Sequence, residues 1–197
     1  GFFDLQPTNQ NMVDFSNNQI RTLGRKISDS EGEIPESDLL VLQEYRKSFK
    51  DPLAEVFTKV NQHSRKLDCN CIVTYRIKRI NTIVRKLKRF KSDGHGHMEL
   101  DRIGDIAGCR CILLNEDEEK IYTLVESLKQ DFPNNKSNDY LKEAKKDGYK
   151  SFHLYVDTES ENFPKRKVEI QIRNIKHHNW ATLVEIIDLL YAQKIKE

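Results

Sequence analysis

A strict alternation of apolar and polar side chains runs along residues 168–173. Such an alternation predicts a β-strand with one face in a core and the other face open. The polar face presents a carboxylate, an amide and a guanidinium, from Glu169, Gln171 and Arg173. A surface strand usually carries Thr, Lys and Glu without such order, and we therefore expect this face to have a function.

A second strand-like run, residues 148–156, precedes this segment and ends in aromatic and β-branched residues. It carries Tyr149, Lys150 and His153 near its start. The polar segment 157–165 separates the two runs. We predict two strands joined by a loop at these residues.

Apolar residues recur at helical spacing between residues 36 and 60. Pro52 interrupts this pattern and predicts two helices that meet near residues 50–51. Ser37 or Asp38 is placed to cap the free amides at the start of the first helix.

Amphipathic patterns predict two further helices, at residues 116–131 and 175–191. Short apolar runs at residues 71–75 and 111–114 predict strands, and the turn-rich segment 133–137 predicts a loop. In the last helix, the residues predicted to be buried are Trp180, Leu183, Val184, Ile187 and Leu190.

These elements predict an α+β fold, a mixed central β-sheet of about five strands flanked by helices. Residues 1–34 form a polar N-terminal arm, in which a short helix can bury one face. The domain proper covers residues 35–191, with a helical cap at 35–67 and the core at 70–191. The apolar face in the arm consists of Ile20, Leu23 and Ile27.

Bulk charge predicts no partner, because the net charge is only +2. Neither an apolar run of membrane-spanning length nor a signal peptide is apparent, and we expect a soluble, cytoplasmic protein without a membrane partner. The four cysteines form two Cys-x-Cys pairs, Cys69/Cys71 and Cys109/Cys111. Side chains at i and i+2 of a strand project in parallel, which favours buried thiols over a zinc site or disulfides.

Residues 76–89 contain seven Lys or Arg and no acid. On a helical wheel, Lys78, Arg85 and Arg89 lie opposite an apolar side that would face the core. Such a basic face is either solvated or bound to polyphosphate or nucleic acid. The apolar side consists of Ile77, Ile80, Ile83, Val84 and Leu87.

Two carboxylates, Asp105 and Glu169, lie on or beside predicted strands. Arg110 lies inside a buried strand, where a guanidinium needs an anion or a flat ring. Paired carboxylates with several cations suit Mg²⁺-dependent phosphoryl transfer. Nucleic-acid binding is the alternative on composition alone.

Four blocks of these residue types occur in order between about residues 70 and 185. They are Arg76-x-Lys78-x3-Thr82-x3-Lys86-x2-Arg89, Asp105-Ile-Ala-Gly-x-Arg110, Asp139-Tyr140 to Lys145-x2-Gly148-Tyr149-x-Ser151-x-His153, and Glu169-Ile-Gln171-Ile-Arg173. In these blocks the chain resembles the synthetase domain of the RelA/SpoT family, specifically its small single-domain alarmone synthetases.

The resemblance implies transfer of a pyrophosphoryl group from ATP to the ribose 3′-hydroxyl of GDP or GTP, with Mg²⁺ as cofactor and AMP as the second product. It implies that Asp105 binds Mg²⁺, and that Glu169 binds Mg²⁺ or takes the proton of the 3′-hydroxyl. The implied ATP-binding residues are Arg76 and Arg110 on the adenine, with Lys78, Thr82, Lys86 and Arg89 on the phosphates. The implied acceptor-binding residues are Tyr149 on the guanine, Lys145 and His153 near the phosphates, and Gln171 and Arg173.

The chain departs from the family pattern at two places. Ala144 stands where the family commonly has proline, and Val184-Glu185 replaces a Glu-His pair after Trp180-Ala181. The chain also lacks the His-Asp dipeptide of the family's hydrolase domain, and we expect no alarmone hydrolysis.

Two other functions stay open at this point. Toxin relatives in the same family place the pyrophosphate on the 3′ end of tRNA, and a lysine-rich surface suits an RNA backbone. The other hypothesis is an inactive nucleotide-binding module. The sequence also leaves homo-oligomerisation open. The basic residues in question are Lys142, Lys145, Lys146, Lys150, Lys165, Arg166 and Lys167.

Overall fold

Five strands form one mixed sheet in the order β1-β2-β5-β4-β3, flanked by helices. The computed structural model describes residues 15–68 and 70–194, with side chains through Tyr191. The predicted α+β class and the five-stranded mixed sheet are confirmed. The strands are β1 Cys71–Ile77, β2 Ala107–Leu113, β3 Asn135–Asp139, β4 Phe152–Ser160 and β5 Phe163–Asn174.

Six α-helices accompany the sheet within the described residues, together with a short 3-10 helix at Leu100–Arg102. No helix in this part of the chain combines the length and the apolar character needed to cross a membrane. The helices are α1 Asn17–Asp29, α2 Glu36–Lys47, α3 Lys50–Leu67, α4 Ile80–Ser92, α5 Glu118–Asp131 and α6 Ile175–Lys194.

The predicted break near Pro52 is confirmed, because α2 ends at Lys47 and α3 begins at Lys50. Pro52 lies in the first turn of α3, where its missing N–H costs no helical hydrogen bond. The predicted side-chain cap of α2 is wrong, since Pro35 takes the N-cap position without a side-chain hydrogen bond.

Three element boundaries differ from the prediction. The basic helix starts only at Ile80, because β1 continues through Arg76 to Ile77. The predicted loop at 157–165 is strand except at the turn 161–162, where β4 and β5 connect. β3 replaces most of the loop predicted at 133–137.

β3 was missed because its side chains are polar on both faces and show no alternation. The strand pairs antiparallel with β4, with Asn135 opposite Val156 and Asp139 opposite Phe152. Backbone hydrogen bonds to β4 therefore hold β3 in place without a buried apolar face.

The chain divides into two compact units. The first contains the described residues within 1–56, 76–108 and 157–168. In this unit α1 packs against α2, α4 and the short 3-10 helix, and α2 packs against α4. The predicted apolar face of α1 is confirmed, and its buried residues are Ile20, Leu23 and Ile27.

The second unit contains the described residues within 57–75, 109–156 and 169–197. The core here is built from the buried sides of β2, β4, β5 and α5. Cys71, Cys109 and Cys111 are free thiols, and burial raises the pKa of Cys109 and of Cys111 to about 12. Cys69, the fourth cysteine, and residues 1–14 of the predicted arm lie outside the described residues. The predicted domain boundaries at 34/35 and 67/70 stay predictions.

The predicted apolar face of β5 is confirmed, since Val168, Ile170 and Ile172 are fully buried. The predicted open polar face is wrong. Glu169 is only 8% exposed and Arg173 only 2%. His153 on β4 bonds to Glu169, so that polar groups on both strands are buried together.

The predicted burial of the apolar face of α6 is also wrong. Trp180 is 47% exposed and Leu190 is 55% exposed. Helical spacing predicts which residues share one face of a helix. It does not predict whether other parts of the described chain pack against that face. The other large apolar residues of α6 that are exposed are Leu183, Ile186, Ile187, Leu189 and Tyr191.

Candidate active site

In the first unit, two lysines bind the same carboxylate. Lys78 follows β1 and donates to Oδ2 of Asp105, and Lys86 on α4 lies 2.8 Å from Oδ1. The backbone of Lys78 is fixed at both ends: its N–H donates to the carbonyl of Ile106 at 2.7 Å, and its carbonyl accepts from Arg46 Nε at 2.7 Å. We call Lys78, Lys86 and Asp105 the lysine–aspartate cluster.

The ionisation of Asp105 follows from these contacts. Burial raises the pKa of the carboxyl, but the hydrogen bonds from Lys78 and Lys86 outweigh burial and lower it below the usual value. At neutral pH the cluster therefore contains one carboxylate and two ammonium groups, with a surplus of positive charge.

Further cations lie around the start of α4. Arg76 on β1 and Arg89 on α4 are exposed, and their side chains form no ion pair within the described residues. Thr82 lies in the first turn of α4, a turn that contains no acid, and the N-cap Arg79 makes no side-chain cap. The positive end of the helix dipole lies at this turn and favours an anion such as phosphate.

In the second unit, a chain of hydrogen bonds runs through the polar face of β5. Tyr149 Oη lies 2.9 Å from Nε2 of His153, whose Nδ1 lies 2.9 Å from Oε1 of Glu169. Gln171 donates from Nε2 to Oε2 of Glu169 at 3.0 Å, and accepts at Oε1 from Nε of Arg110 at 3.2 Å. We call these five residues the Glu169 network.

Glu169 is ionised within this network. Burial raises the pKa of its carboxyl, but hydrogen bonds from His153, Tyr155 and Gln171 lower it below the usual value. The carboxylate is thus charged, nearly inaccessible to bulk water and fixed in orientation by several donors.

Lys145 lies against the aromatic part of the network. Its Nζ is 4.8 Å from the ring centroid of Tyr149 and 4.6 Å from that of Tyr140, within the range of cation–π contacts. The neighbouring Gly148 has φ +77°, and a Cβ at this position would lie 2.9 Å from Trp180 Nε1. Trp180 Nε1 also donates to the carbonyl of Asp147 at 3.1 Å.

One nitrogen of the buried Arg173 guanidinium, Nε, has no hydrogen-bond partner within the described residues. Burial and the charge of Arg110 lower its pKa, while Tyr149 and Glu185 act in the opposite direction. A buried N–H group without a partner is costly, and a bound anion is one of the ordinary explanations for such a group.

The structure thus sorts the predicted site residues into two groups. Within the first unit it joins Lys78, Lys86 and Asp105 directly, and leaves Arg76, Thr82 and Arg89 without side-chain bonds to that cluster. Within the second unit it joins Arg110, Tyr149, His153, Glu169 and Gln171 in one network, with Lys145 on the ring of Tyr149. The functional assignments of all these residues stay predictions.

The sequence-based prediction did not include two residues that lie around the Glu169 network, Tyr155 and Tyr140. Tyr155 follows His153 by two positions on β4, so strand periodicity places both on the same face, and this signal was available in the sequence. Tyr140 was noted only as part of a motif, and nothing in the sequence indicated that its ring would contact Lys145.

Asp105 and Glu169 are the carboxylates that the sequence predicts as metal ligands. Among the described residues, no group of three or more His, Cys, Asp and Glu side chains is placed to hold a metal ion. Mg²⁺ commonly uses only one or two carboxylates and completes its shell with waters and substrate phosphates. Asp105 in the first unit and Glu169 in the second each offer oxygen donors of the kind that Mg²⁺ prefers.

The chain is thus an α+β protein with one acid–base cluster in each of its two units. Residues 75–196 match the model of the region found in RelA / SpoT proteins. The chain therefore belongs to the RelA/SpoT family, and the resemblance inferred from its four sequence blocks is confirmed.

Individual relatives agree with this assignment. The GTP pyrophosphokinase YjbM of Bacillus subtilis is 32% identical over 128 residues, which cover 64% of this chain and 59% of YjbM. The small alarmone synthetase 2 of Bacillus subtilis has a similar structure, with TM-score 0.60, 29% identity and coverage of 79% of this chain and 83% of that one.

The small alarmone synthetase 1 of Bacillus subtilis, solved with its product pppGpp, gives a TM-score of 0.62 at 23% identity. The match covers 77% of this chain and 81% of that one and establishes the shared fold. The chain spans between 53% and 62% of the length of the curated relatives it matches.

Proposed function

We propose that the chain is a GTP pyrophosphokinase that makes guanosine tetra- or pentaphosphate. It transfers the β,γ-pyrophosphoryl group of ATP to the ribose 3′-hydroxyl of GDP or GTP. A bond forms between the acceptor's 3′-oxygen and the β-phosphorus of ATP. The bond from that phosphorus to the oxygen bridging the α-phosphate breaks, and AMP leaves.

The observation that carries this proposal is the buried, ionised Glu169, held by His153 and Gln171 beside the ring of Tyr149. A carboxylate fixed in this way suits a hydroxyl acceptor, because catalysis of group transfer depends on fixed positions of the reacting groups. The name of YjbM and the likeness to small alarmone synthetase 2 support the same reaction.

The first unit supplies the groups for the ATP phosphates. Lys78 and Lys86 carry two ammonium groups but share one carboxylate, so they retain charge for phosphate oxygens. Thr82 and Arg89 extend this binding along α4. Arg76 offers an exposed guanidinium plane for the adenine.

The second unit supplies the groups for the acceptor. The ring of Tyr149 stacks on the guanine, and Lys145, Gln171 and Arg173 contribute donors. The 3′-hydroxyl transfers its proton to Glu169 as its oxygen attacks. The unpartnered Nε of buried Arg173 is satisfied when the acceptor provides an oxygen.

Asp105 would hold Mg²⁺ together with phosphate oxygens. When bound, Mg²⁺ neutralises charge on the phosphates and polarises them. In such a complex Lys78 and Lys86 would shift their contacts from Asp105 toward the phosphates.

The experiment uses γ-labelled ATP with Mg²⁺ and three acceptors in separate reactions: GDP, GTP and deacylated tRNA. We expect label on GDP and GTP, and loss of transfer in Glu169→Gln. The matched control is Glu161→Gln, which removes an exposed carboxylate in the turn after β4. Label on tRNA alone would identify the translation-blocking activity instead, and label on no acceptor would contradict the proposal.

A further inference from the structure

His153 has no free ring nitrogen. The side chain is 6% exposed and lies between two partners. Its Nε2 is 2.9 Å from the hydroxyl of Tyr149, and its Nδ1 is 2.9 Å from Oε1 of Glu169. A contact with an acceptor phosphate, as the resemblance implied, would require one of these two bonds to break.

The donors and acceptors of this triad are assigned from its hydrogen-bond geometry. An ionised carboxylate only accepts, so Nδ1 of His153 carries a proton and donates to Glu169. We assign the other nitrogen, Nε2, as the acceptor for the hydroxyl of Tyr149. Burial raises the pKa of Tyr149, which keeps that hydroxyl protonated as a donor.

The two ends of the triad have different tasks in the proposed reaction. Tyr149 carries the ring that stacks on the acceptor base, and Lys145 covers the same ring at 4.8 Å. Glu169 faces the acceptor hydroxyl, and Gln171 fixes its second oxygen at 3.0 Å. His153 is the side chain that bonds to both ends.

We propose that His153 is a positioning residue that joins the acceptor-stacking ring of Tyr149 and the carboxylate of Glu169 into one hydrogen-bonded unit. Through His153, stacking of the acceptor base on Tyr149 is coupled to the orientation of Glu169 toward the acceptor hydroxyl. This inference rests on the proposed function, and it replaces the phosphate contact expected for His153.

Conservative variants separate the two bonds. Asn at position 153 places an amide nitrogen near the position of Nδ1 and retains the donor to Glu169. Tyr149→Phe retains the stacking ring and removes only the hydroxyl. His153→Ala removes both bonds. The control is His95→Asn, because His95 is exposed and belongs to neither cluster.

We expect His153→Ala to lower kcat about 10- to 100-fold, because a hydrogen bond to a buried charge is worth about 1.5–3 kcal/mol. Asn at the same position restores part of this loss, and KM for ATP stays unchanged. Tyr149→Phe lowers kcat as well. The double variant of Tyr149→Phe with His153→Asn loses less than the product of the single losses, since both remove the same bond.

The acceptor series distinguishes positioning from phosphate binding. With GTP, GDP and GMP as acceptors, a positioning role predicts the same fold-loss for His153→Asn in every case. A loss that grows with the number of acceptor phosphates would overturn the inference, as would equal activities of His153→Asn and His153→Ala. Wild-type protein that transfers to no guanine nucleotide would instead contradict the proposed function.

A spectroscopic measurement tests the hydrogen-bonded unit without activity. In protein with ¹⁵N-labelled histidine, His153 should show a protonated Nδ1 and an unprotonated, hydrogen-bonded Nε2, identified by its loss in His153→Asn. Tyr149→Phe should shift the Nε2 resonance and leave Nδ1 protonated. A ring protonated only on Nε2, or an Nε2 resonance indifferent to Tyr149→Phe, would overturn the inference.

Discussion

Lys86 Nζ lies 2.8 Å from Oδ1 of Asp105, which places an ammonium from α4 against a carboxylate just before β2. Lys78 occupies the other carboxylate oxygen. Without nucleotide, Asp105 therefore keeps both lysines ordered and partly neutralised. Phosphates that bind here gain two cations already held in place, at the cost of exchanging an existing ion pair.

Asp105→Asn should separate phosphate binding from chemistry. The variant retains both lysines and loses the charged oxygen donor for Mg²⁺, whose contribution to transfer is several kcal/mol. We expect kcat to fall about 100-fold or more, while binding of a non-hydrolysable ATP analogue without Mg²⁺ is retained or tightened. Steady-state assays measure kcat, and isothermal titration calorimetry measures the binding of the ATP analogue.

The control for this variant is Asp93→Asn. Asp93 follows the end of α4 and its carboxylate is exposed. Equal activities of Asp105→Asn and wild-type protein would remove Asp105 from the proposed metal site.

Lys86→Met should weaken ATP binding. Methionine keeps much of the apolar stem and removes the charge, and one charge-assisted phosphate contact is worth about 1.5–3 kcal/mol. We expect the Kd for the ATP analogue to rise about 10- to 100-fold, with less effect at high salt. Lys88→Met is the matched control, since Lys88 lies on the same helix and its Nζ donates to the carbonyl of Gly32 at 3.5 Å, away from Asp105. Similar effects of both substitutions would indicate a general basic surface.

Gly148→Ala should destabilise the second unit and weaken acceptor binding. The residue has φ +77°, and an added Cβ would lie 2.9 Å from Trp180 Nε1. The conformation and the clash together predict a loss of about 1–3 kcal/mol in the free energy of unfolding. Urea unfolding measures it, and KM for GDP should rise because Tyr149 is the next residue.

Gly32→Ala is the matched control for Gly148→Ala. A Cβ at Gly32 meets no heavy atom within 4 Å, so the substitution should leave stability unchanged or raise it slightly. A Gly148→Ala variant as stable as Gly32→Ala would contradict the close approach of Trp180.

The alternation at 168–173 predicted the buried side of β5 correctly because strand period is a local property of the chain. The burial of Glu169 and Arg173 was not predictable in this way. Glu169, for example, is bonded by His153, which reaches it through the sheet pairing of β4 with β5. Local pattern determines which side chains share a face, and tertiary structure determines what covers that face.

Similar reasons explain the other differences. Ile77 matches the helical pattern of 80–87, so the pattern alone did not separate the end of β1 from the start of α4. The pairing of Lys78 with Asp105 spans 27 positions along the chain, and no local signal selects that aspartate. The exposure of Leu190 could not be predicted either, because its spacing is the same as that of a buried residue.

Acid should destabilise the chain in part through Asp68. Its pKa lies below the usual 3.8, chiefly because Lys120 donates to it, and the Asn70 amide and Asn115 act in the same direction. A carboxyl with a lowered folded-state pKa stabilises the fold above the unfolded value, and this contribution is lost as pH falls through the folded value.

Urea unfolding at pH 7, 5, 4 and 3 tests this contribution. Asp68→Asn should lower stability at pH 7 and reduce the loss of stability below pH 4. Asp188→Asn is the control, because Asp188 is exposed on α6 and should show the same acid dependence as wild-type protein. An unchanged acid dependence in Asp68→Asn would show that its hydrogen bonds contribute no pH-dependent stability.

The central claim is transfer of a pyrophosphoryl group to the 3′-hydroxyl of a guanine nucleotide. The most direct test supplies wild-type protein and ATP with GDP, 2′-deoxy-GDP or 3′-deoxy-GDP, and measures AMP and the mass of the guanine product. We predict AMP and a product heavier by one pyrophosphoryl group with GDP and 2′-deoxy-GDP, and neither with 3′-deoxy-GDP. Transfer to 3′-deoxy-GDP, or no transfer to GDP, would contradict the account.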